Sequence, residues 1–142
     1  MDIEISETIL APLEKVWDDV ARLDTHVEWM TDAHRIDFPD GRRSGAGTRM
    51  EVETRVGPLR TTDVMEITAW EPPHRIAVHH RGLVTGSGEF LLEAIGPATT
   101  RFTWRESLRL PWFFGGPLGA IVARPLLRAE WRRNLARLRG RF

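Results

Sequence analysis

The sequence contains no cysteine and no tyrosine among its 142 residues. The absence of cysteine excludes disulfide bonds, thiolate metal sites and cysteine nucleophiles, and without tyrosine there is no phenolic acid. Long apolar runs are also missing. The longest uncharged stretch, residues 110–123, contains two prolines and is shorter than the roughly 20 apolar residues of a spanning helix. The first residues are acidic, and polar and apolar side chains alternate along them, whereas a signal peptide begins with a basic and then an apolar segment. We therefore expect a cytoplasmic protein.

Hydrophobic residues at 42% and charged residues at 28% are typical of a globular chain, and the length is that of one ordinary domain spanning residues 1–142. The formal net charge is zero, but residues 1–40 carry eleven acidic and three basic side chains, whereas residues 107–142 carry one acidic and eight basic. The C-terminal arginines flank an apolar helical stripe and face an equally acidic N-terminal region. We therefore expect no nucleic-acid partner.

The periodicity of apolar residues predicts the order of the secondary structure. A strand over residues 2–10 is followed by a helix that opens at Pro12 and by a short helical turn over residues 24–29. The period then changes to two, which predicts six strands over residues 34–38, 48–56, 59–70, 75–81, 82–95 and 99–110. Gly82, Gly86 and Gly88 lie within these strands and are interpreted as bends or bulges. A long amphipathic helix begins at Pro117.

This order of elements resembles the START-like helix-grip fold of the SRPBCC superfamily, and most closely its bacterial polyketide cyclase/dehydrase-like group. The likeness is carried by residues 3–30, by GAGTRMEV at 45–52, WEPPHRIAV at 70–78 and ATTRFTWRESLRLP at 98–111, and by NLARLR at 134–139. It implies an α+β fold in which a seven-stranded antiparallel sheet curls around the long C-terminal helix. Members of such families include lipid carriers, hormone-binding proteins, aromatases and cyclases, so the resemblance specifies the fold better than the activity.

The resemblance also implies an apolar cavity between the sheet and the long helix, suited to a small hydrophobic molecule. We expect that molecule to be aromatic or polycyclic, and polyketide- or lipid-like. The inward strand faces and the helix stripe predict which residues line the cavity: Trp29, Met50, Val52, Trp70, Val78, His80, Phe90, Leu92, Phe102, Trp104, Glu106, Trp112 and Trp131.

Glu106 and His80 are the candidate catalytic residues. Glu106 shares a strand face with aromatic residues, where a carboxylate is costly unless it is paired or protonated. It is interpreted as a general acid/base or ligand anchor, as a structural partner of Arg124 or Arg128, or as a bulged residue that points to water. His80 faces inward, which makes it either an acid/base partner of Glu106 or a core histidine bonded to backbone.

Other kinds of site lack support in the sequence. His79 and His80 are adjacent on a strand and face opposite sides, so they cannot bind one metal together. His26 and His34 have no third ligand at a recognised spacing, and the glycine-rich segment at residues 41–48 lacks the lysine of a phosphate loop. We therefore predict no metal and no cofactor.

Three functions remain open. The first is binding of a small hydrophobic ligand, and the second is a polyketide cyclase/dehydratase-type lyase or isomerase that uses Glu106 and His80. The third is a lipid or quinone carrier that contacts a membrane through Trp112, Phe113 and Phe114. That aromatic segment is alternatively a cap of the core or a ligand gate. A monomer and a homodimer are both compatible with the sequence.

Overall fold

The computed structural model describes residues 1–142, the side chain of Val56 excepted. Its elements follow the predicted order: β1 (Asp2–Ile9), α1 (Leu13–Val20), a first 3₁₀ helix (Leu23–Glu28), β2 (Ala33–Asp37), β3 (Arg49–Val56), β4 (Leu59–Glu71), β5 (Arg75–Arg81), β6 (Thr85–Gly96), β7 (Thr99–Arg109), a second 3₁₀ helix (Trp112–Phe114) and α2 (Gly116–Arg139). The α+β fold with two short helices after the first strand and a long C-terminal helix is confirmed. No helix in the described part of the chain has the length and apolarity needed to cross a bilayer.

The seven strands form one antiparallel sheet in the order β1-β7-β6-β5-β4-β3-β2. Strands β2 to β7 follow one another along the chain, and β1 joins the far edge beside β7. Burial alternates strictly along β7, where Thr100, Phe102, Trp104, Glu106 and Leu108 are buried. This alternation gives the sheet one covered face and one wet face, as the sequence predicted.

The predicted start of β6 was wrong, and so was the bulge interpretation of Gly86 and Gly88, whereas Gly82 lies in a bend before β6. Strand β6 begins at Thr85 rather than at residue 82, because the chain is still turning at Leu83, whose backbone N–H donates to the carboxylate of Asp63 at 3.2 Å. Pairing at Gly86 and Gly88 is continuous with both neighbouring strands, so there is no bulge at either residue. The shifts in register occur elsewhere, one of them in β4 between Ile67 and Ala69.

Helix α2 packs on the sheet mainly through its C-terminal half. Trp131, Asn134, Leu135 and Leu138 are buried there. The side chains of Arg124 and Arg128 donate to the backbone carbonyls of Asp2 at 2.9 Å and Glu4 at 3.2 Å. These carbonyls belong to β1, an edge strand of the sheet, so the arginines satisfy acceptors that would otherwise be free to pair with another chain.

Candidate ligand-binding site

A cavity of about 300 Å³ lies between the inner face of the sheet and α2, and most of its lining is apolar. This volume is at the lower end of the range for sites that bind small molecules. Eight of the residues expected to line a cavity do so: Met50, Val52, Val78, His80, Phe90, Trp104, Glu106 and Trp131. They come from strands β3, β5, β6 and β7 and from α2, so the cavity is built by the sheet and the helix that closes over it.

The other five expected residues lie outside this lining. Trp29, Leu92 and Phe102 are buried in the hydrophobic core, where the ring of Trp29 packs edge-to-face against Phe102 with centroids 6.4 Å apart. Trp70 packs edge-to-face against Trp17 of α1 at 5.5 Å. Trp112 is 85% exposed. The aromatic side chains of the chain are therefore divided among cavity wall, core and surface.

Glu106 is buried and accepts two hydrogen bonds. One comes from the indole Nε1–H of Trp104 at 2.9 Å, and the other joins its second oxygen to His80 Nε2 at 3.0 Å. The strand is regularly paired at Glu106, which opposes Ile3 on one side and Gly88 on the other. Glu106 is therefore not bulged towards water. Its partners are also not the arginines of α2, which bind β1 instead.

His80 and Glu106 meet across β6, the strand that separates them. The two residues of β6 nearest to them are Gly86 and Gly88, which pair with His80 and Glu106 respectively. A Cβ atom built on Gly88 would overlap the Glu106 carboxylate. The missing side chain of Gly88 leaves room on the inner face of β6, and this room allows the imidazole and the carboxylate to touch. A Cβ atom on Gly86 would instead collide with the backbone of Ser107.

The environment favours the protonated form of His80. Burial on its own would lower the pKa of this side chain, but the hydrogen bond and negative charge of Glu106, together with the charge of Asp63, outweigh burial and raise the pKa above its usual value. His26 is the opposite case. Its Nε2 lies 2.7 Å from the carbonyl of Val20, and burial lowers its pKa, so it is a neutral histidine bonded to backbone.

Asp63 is a cavity residue that the sequence interpretation missed. Thr61 Oγ1 donates to one carboxylate oxygen at 3.2 Å, and the backbone N–H of Leu83 donates to the other at 3.2 Å. Burial raises the pKa of Asp63 despite these bonds. Asp63 lies on the same face of β4 as Met65 and Ile67, at a spacing of two residues. This period could have identified it as inward-facing.

A second missed carboxylate, Asp32, lies in the loop before β2 and also lines the cavity. It accepts from Asn134 Nδ2 at 2.8 Å and from the indole Nε1–H of Trp131 at 3.3 Å, and burial raises its pKa. Trp131 in turn stacks on Trp104 with ring centroids 4.8 Å apart. The two stacked indoles are thus each fixed by a carboxylate and form a rigid aromatic wall. A loop residue has no periodic pattern, so Asp32 could not be found from the sequence.

The chain also exposes an apolar surface beside the cavity. Seven apolar residues, each at least 41% exposed, form what we call the apolar surface: Trp112, Phe113, Phe114, Leu118, Ile121, Val122 and Leu126. Leu126 also lines the cavity. Residues 107–129 contain no acidic side chain. A contiguous exposed patch of this kind is typical of an interaction surface.

Among the described residues that line the cavity, carboxylates outnumber positively charged groups, and His80 is the cation. Its lining, as far as the structure describes it, includes Asp32, Asp63, Glu89 and Glu106 but neither lysine nor arginine. Among the described residues no three His, Asp or Glu side chains are grouped so as to hold a metal ion.

The whole chain is similar to known proteins. The family model described as "Polyketide cyclase / dehydrase and lipid transport" matches residues 1–142. An uncharacterized protein of Mycobacterium tuberculosis is 29% identical over 130 residues, which cover 86% of this chain and 85% of that protein.

Solved structures share the fold. A protein from Thermus thermophilus superposes with a TM-score of 0.83 at 19% identity, covering 99% of this chain and 96% of that one. The Zhui aromatase/cyclase from Streptomyces sp. R1128 superposes with a TM-score of 0.79 at 16% identity, covering 99% and 92% of the two chains. The TM-scores establish a common fold, and at these sequence identities the likeness concerns the fold alone.

Proposed function

We propose that this chain, which belongs to the polyketide cyclase/dehydrase and lipid transport family of the SRPBCC superfamily, binds a small hydrophobic, aromatic or polyketide-like molecule in the cavity between its sheet and α2. The observation that carries the proposal is an apolar cavity of about 300 Å³ whose wall includes the hydrogen-bonded pair of His80 and Glu106. Apolar lining supplies affinity, and a few polar groups orient the ligand. We further propose one ligand-binding domain over residues 1–142, located in the cytoplasm.

The stacked indoles of Trp104 and Trp131 support an aromatic ligand in particular. Each ring is held by a hydrogen bond from its Nε1–H to a buried carboxylate, so neither has to be ordered when a ligand arrives. A preorganised wall lowers the entropic cost of binding. A flat ring system gains more contact with such a wall than a branched aliphatic molecule of equal volume.

The test is to purify the protein, denature it and identify released small molecules by mass spectrometry, with Trp104→Ala purified in parallel. We expect an aromatic or polycyclic compound that is enriched in the wild type and depleted in the variant. Titration of the emptied protein with that compound should then quench tryptophan emission. If neither released compounds nor aromatic probes bind with measurable affinity, the proposal is wrong.

A second candidate function, cyclisation or dehydration, is favoured by the contact between His80 and Glu106. In the imidazolium form both ring nitrogens of His80 carry protons. Nε2–H donates to Glu106, which leaves the Nδ1–H for a carbonyl or hydroxyl oxygen of the ligand. In a dehydration, His80 gives its Nδ1 proton to the hydroxyl that leaves as water, and the neutral Nδ1 then takes up the proton lost from the adjacent carbon. Glu106 stabilises the imidazolium form through the bond to Nε2–H. Glu106→Gln should abolish turnover of a polyketide-like substrate and leave its affinity nearly intact. Unchanged turnover would remove Glu106 from the mechanism.

A third candidate, a lipid or quinone carrier, is favoured by the apolar surface. Trp112, Phe113 and Phe114 follow β7 directly, and Leu126 belongs both to this surface and to the cavity wall. A carrier needs such continuity between its membrane contact and its ligand site. Wild-type protein should co-sediment with anionic vesicles, and Trp112→Ala should do so less. Absence of co-sedimentation by the wild type rules out this function, and a homodimer seen instead by ultracentrifugation would assign the surface to a second copy.

A further inference from the structure

Carboxyl groups outnumber basic side chains in the described lining of the cavity. Four acidic residues line it, and no lysine or arginine does so among the lining residues that the structure describes. The negative charge of Glu89 is compensated by two arginines on the wet face of the sheet, Arg75 at 2.8 Å and Arg105 at 3.3 Å. The remaining carboxylates therefore depend on histidine or on neutral donors.

Histidine can compensate only one of them. His26 is bonded to a backbone carbonyl, and burial keeps it neutral. His80 is directed at Glu106, with 3.0 Å between Nε2 and Oε2. Asp63 lies close enough to His80 for the two charges to interact, but its hydrogen bonds come from a hydroxyl and a backbone amide. The group formed by His80, Glu106 and Asp63 thus has one carboxylate more than it has cations.

The backbone leaves space for the Asp63 carboxylate. A Cβ atom built on Gly82 would overlap the carboxylate oxygen Oδ1, so glycine at that position lets Asp63 stay on the inner face next to Leu83. Asp63 is only 8% exposed. A buried carboxylate without a charged partner is costly, and the cost falls when a cation enters beside it.

We propose that the cavity takes a hydrophobic molecule that carries a protonated amine, and that Asp63 is the counter-ion of this amine. The proposal rests on the proposed binding function and specifies its ligand class. An ammonium group at Asp63 supplies the missing positive charge while the apolar part fills the space against Trp104 and Trp131. A carboxylate in the same position meets Asp63 and Glu106 as like charges, so fatty acids and aromatic acids are disfavoured.

Three ligands with the same apolar part test this charge selectivity: 4-phenylbutylamine, 4-phenylbutan-1-ol and 4-phenylbutyrate. At neutral pH they are cationic, neutral and anionic respectively. Binding is followed by tryptophan emission, since Trp104 and Trp131 line the cavity, and by calorimetry. We expect the amine to bind about tenfold or more tightly than the alcohol, and the acid to bind most weakly. Asp63→Asn should remove the advantage of the amine over the alcohol, whereas Asp40→Asn, which changes an exposed carboxylate outside the cavity, should preserve it.

The outcomes separate this proposal from the binding function. If the alcohol binds as tightly as the amine, or the acid binds more tightly, the cavity binds hydrophobic molecules without selecting a cation and the amine proposal is wrong. If none of the three binds and no released compound is found, the binding function itself fails. The ranking of the three ligands in the wild-type protein decides the proposal even where Asp63→Asn does not fold.

Discussion

Replacing Glu106 with glutamine should lower the pKa of His80 and change how the stability of the protein depends on pH. The structure assigns the raised pKa of His80 to the hydrogen bond and charge of Glu106, which act against burial. Glutamine has nearly the same shape but no charge, so burial then dominates and the imidazole becomes neutral. A hydrogen bond to a charged group contributes about 1.5–3 kcal/mol, and each unit of pKa shift corresponds to about 1.4 kcal/mol.

The direction of the pH effect follows from the sign of the shift. In the folded wild type the pKa of His80 is above 6.5, so protonation of His80 stabilises the folded state. That contribution is fully present below a pH of about 6.5 and is lost as the pH rises through the folded pKa. The difference in free energy of unfolding between wild type and Glu106→Gln should therefore be larger near pH 6 than near pH 9.

Urea denaturation, followed by tryptophan emission at several pH values, measures this difference, and NMR titration of His80 measures its pKa directly. His79→Ala is the matched control, because His79 is the exposed neighbour on the same strand, and it should leave the pH dependence unchanged. A His80 pKa that stays raised in Glu106→Gln, or a stability difference that grows towards high pH, would show that Glu106 does not hold His80 in its protonated form.

Three further substitutions test the packing of the site. Gly88→Ala should reduce the free energy of unfolding by about 1–3 kcal/mol, because the new Cβ overlaps the Glu106 carboxylate. Urea denaturation measures this cost. An equal cost in the Glu106→Ala background would contradict the overlap as its cause. Trp131→Ala removes the stack on Trp104 and should cost about 3–5 kcal/mol, seen as a lower Tm, and a Tm close to that of the wild type would show that the aromatic wall is not rigidly packed. Trp112→Ala should change stability by less than about 0.5 kcal/mol because the side chain is 85% exposed, and a large loss would mean that Trp112 caps the core.

The inward position of Glu106 could be predicted because β7 alternates without interruption from Phe102 to Leu108. Its contact with His80 could only be suggested. The two residues lie on strands that are separated by β6, and side chains on the intervening strand normally keep such residues apart. Gly88 removes that obstacle, but the strand order and register that bring it between His80 and Glu106 are set by pairing over long distances in sequence.

The position of Trp70 shows the limit of alternation. The register of β4 shifts between Ile67 and Ala69, so residues beyond the shift no longer keep the parity of Met65 and Ile67. Strict alternation from Met65 and Ile67 would turn Trp70 to the wet face. The shift instead pairs Trp70 with the buried Ile76 on the covered face, where it meets Trp17 of α1. A bulge of this kind inserts one residue and reverses every later face assignment, and nothing in the local sequence marks it.

Two of the eight basic residues at 107–142 form ion pairs with the acidic N-terminal part of the chain. Arg139 pairs with Glu7 at 3.2 Å, and Arg141 pairs with Asp19 at 2.8 Å, so basic residues at the end of the chain meet acidic residues near its start. Exposed pairs of this kind are individually weak, yet they lie at the same end of α2 as its buried Asn134 and Leu138. The C-terminal half of α2 is thus held by burial and charge together. The N-terminal half has no buried side chain before Trp131 and carries the apolar surface, so it is the less firmly attached part of the cavity wall.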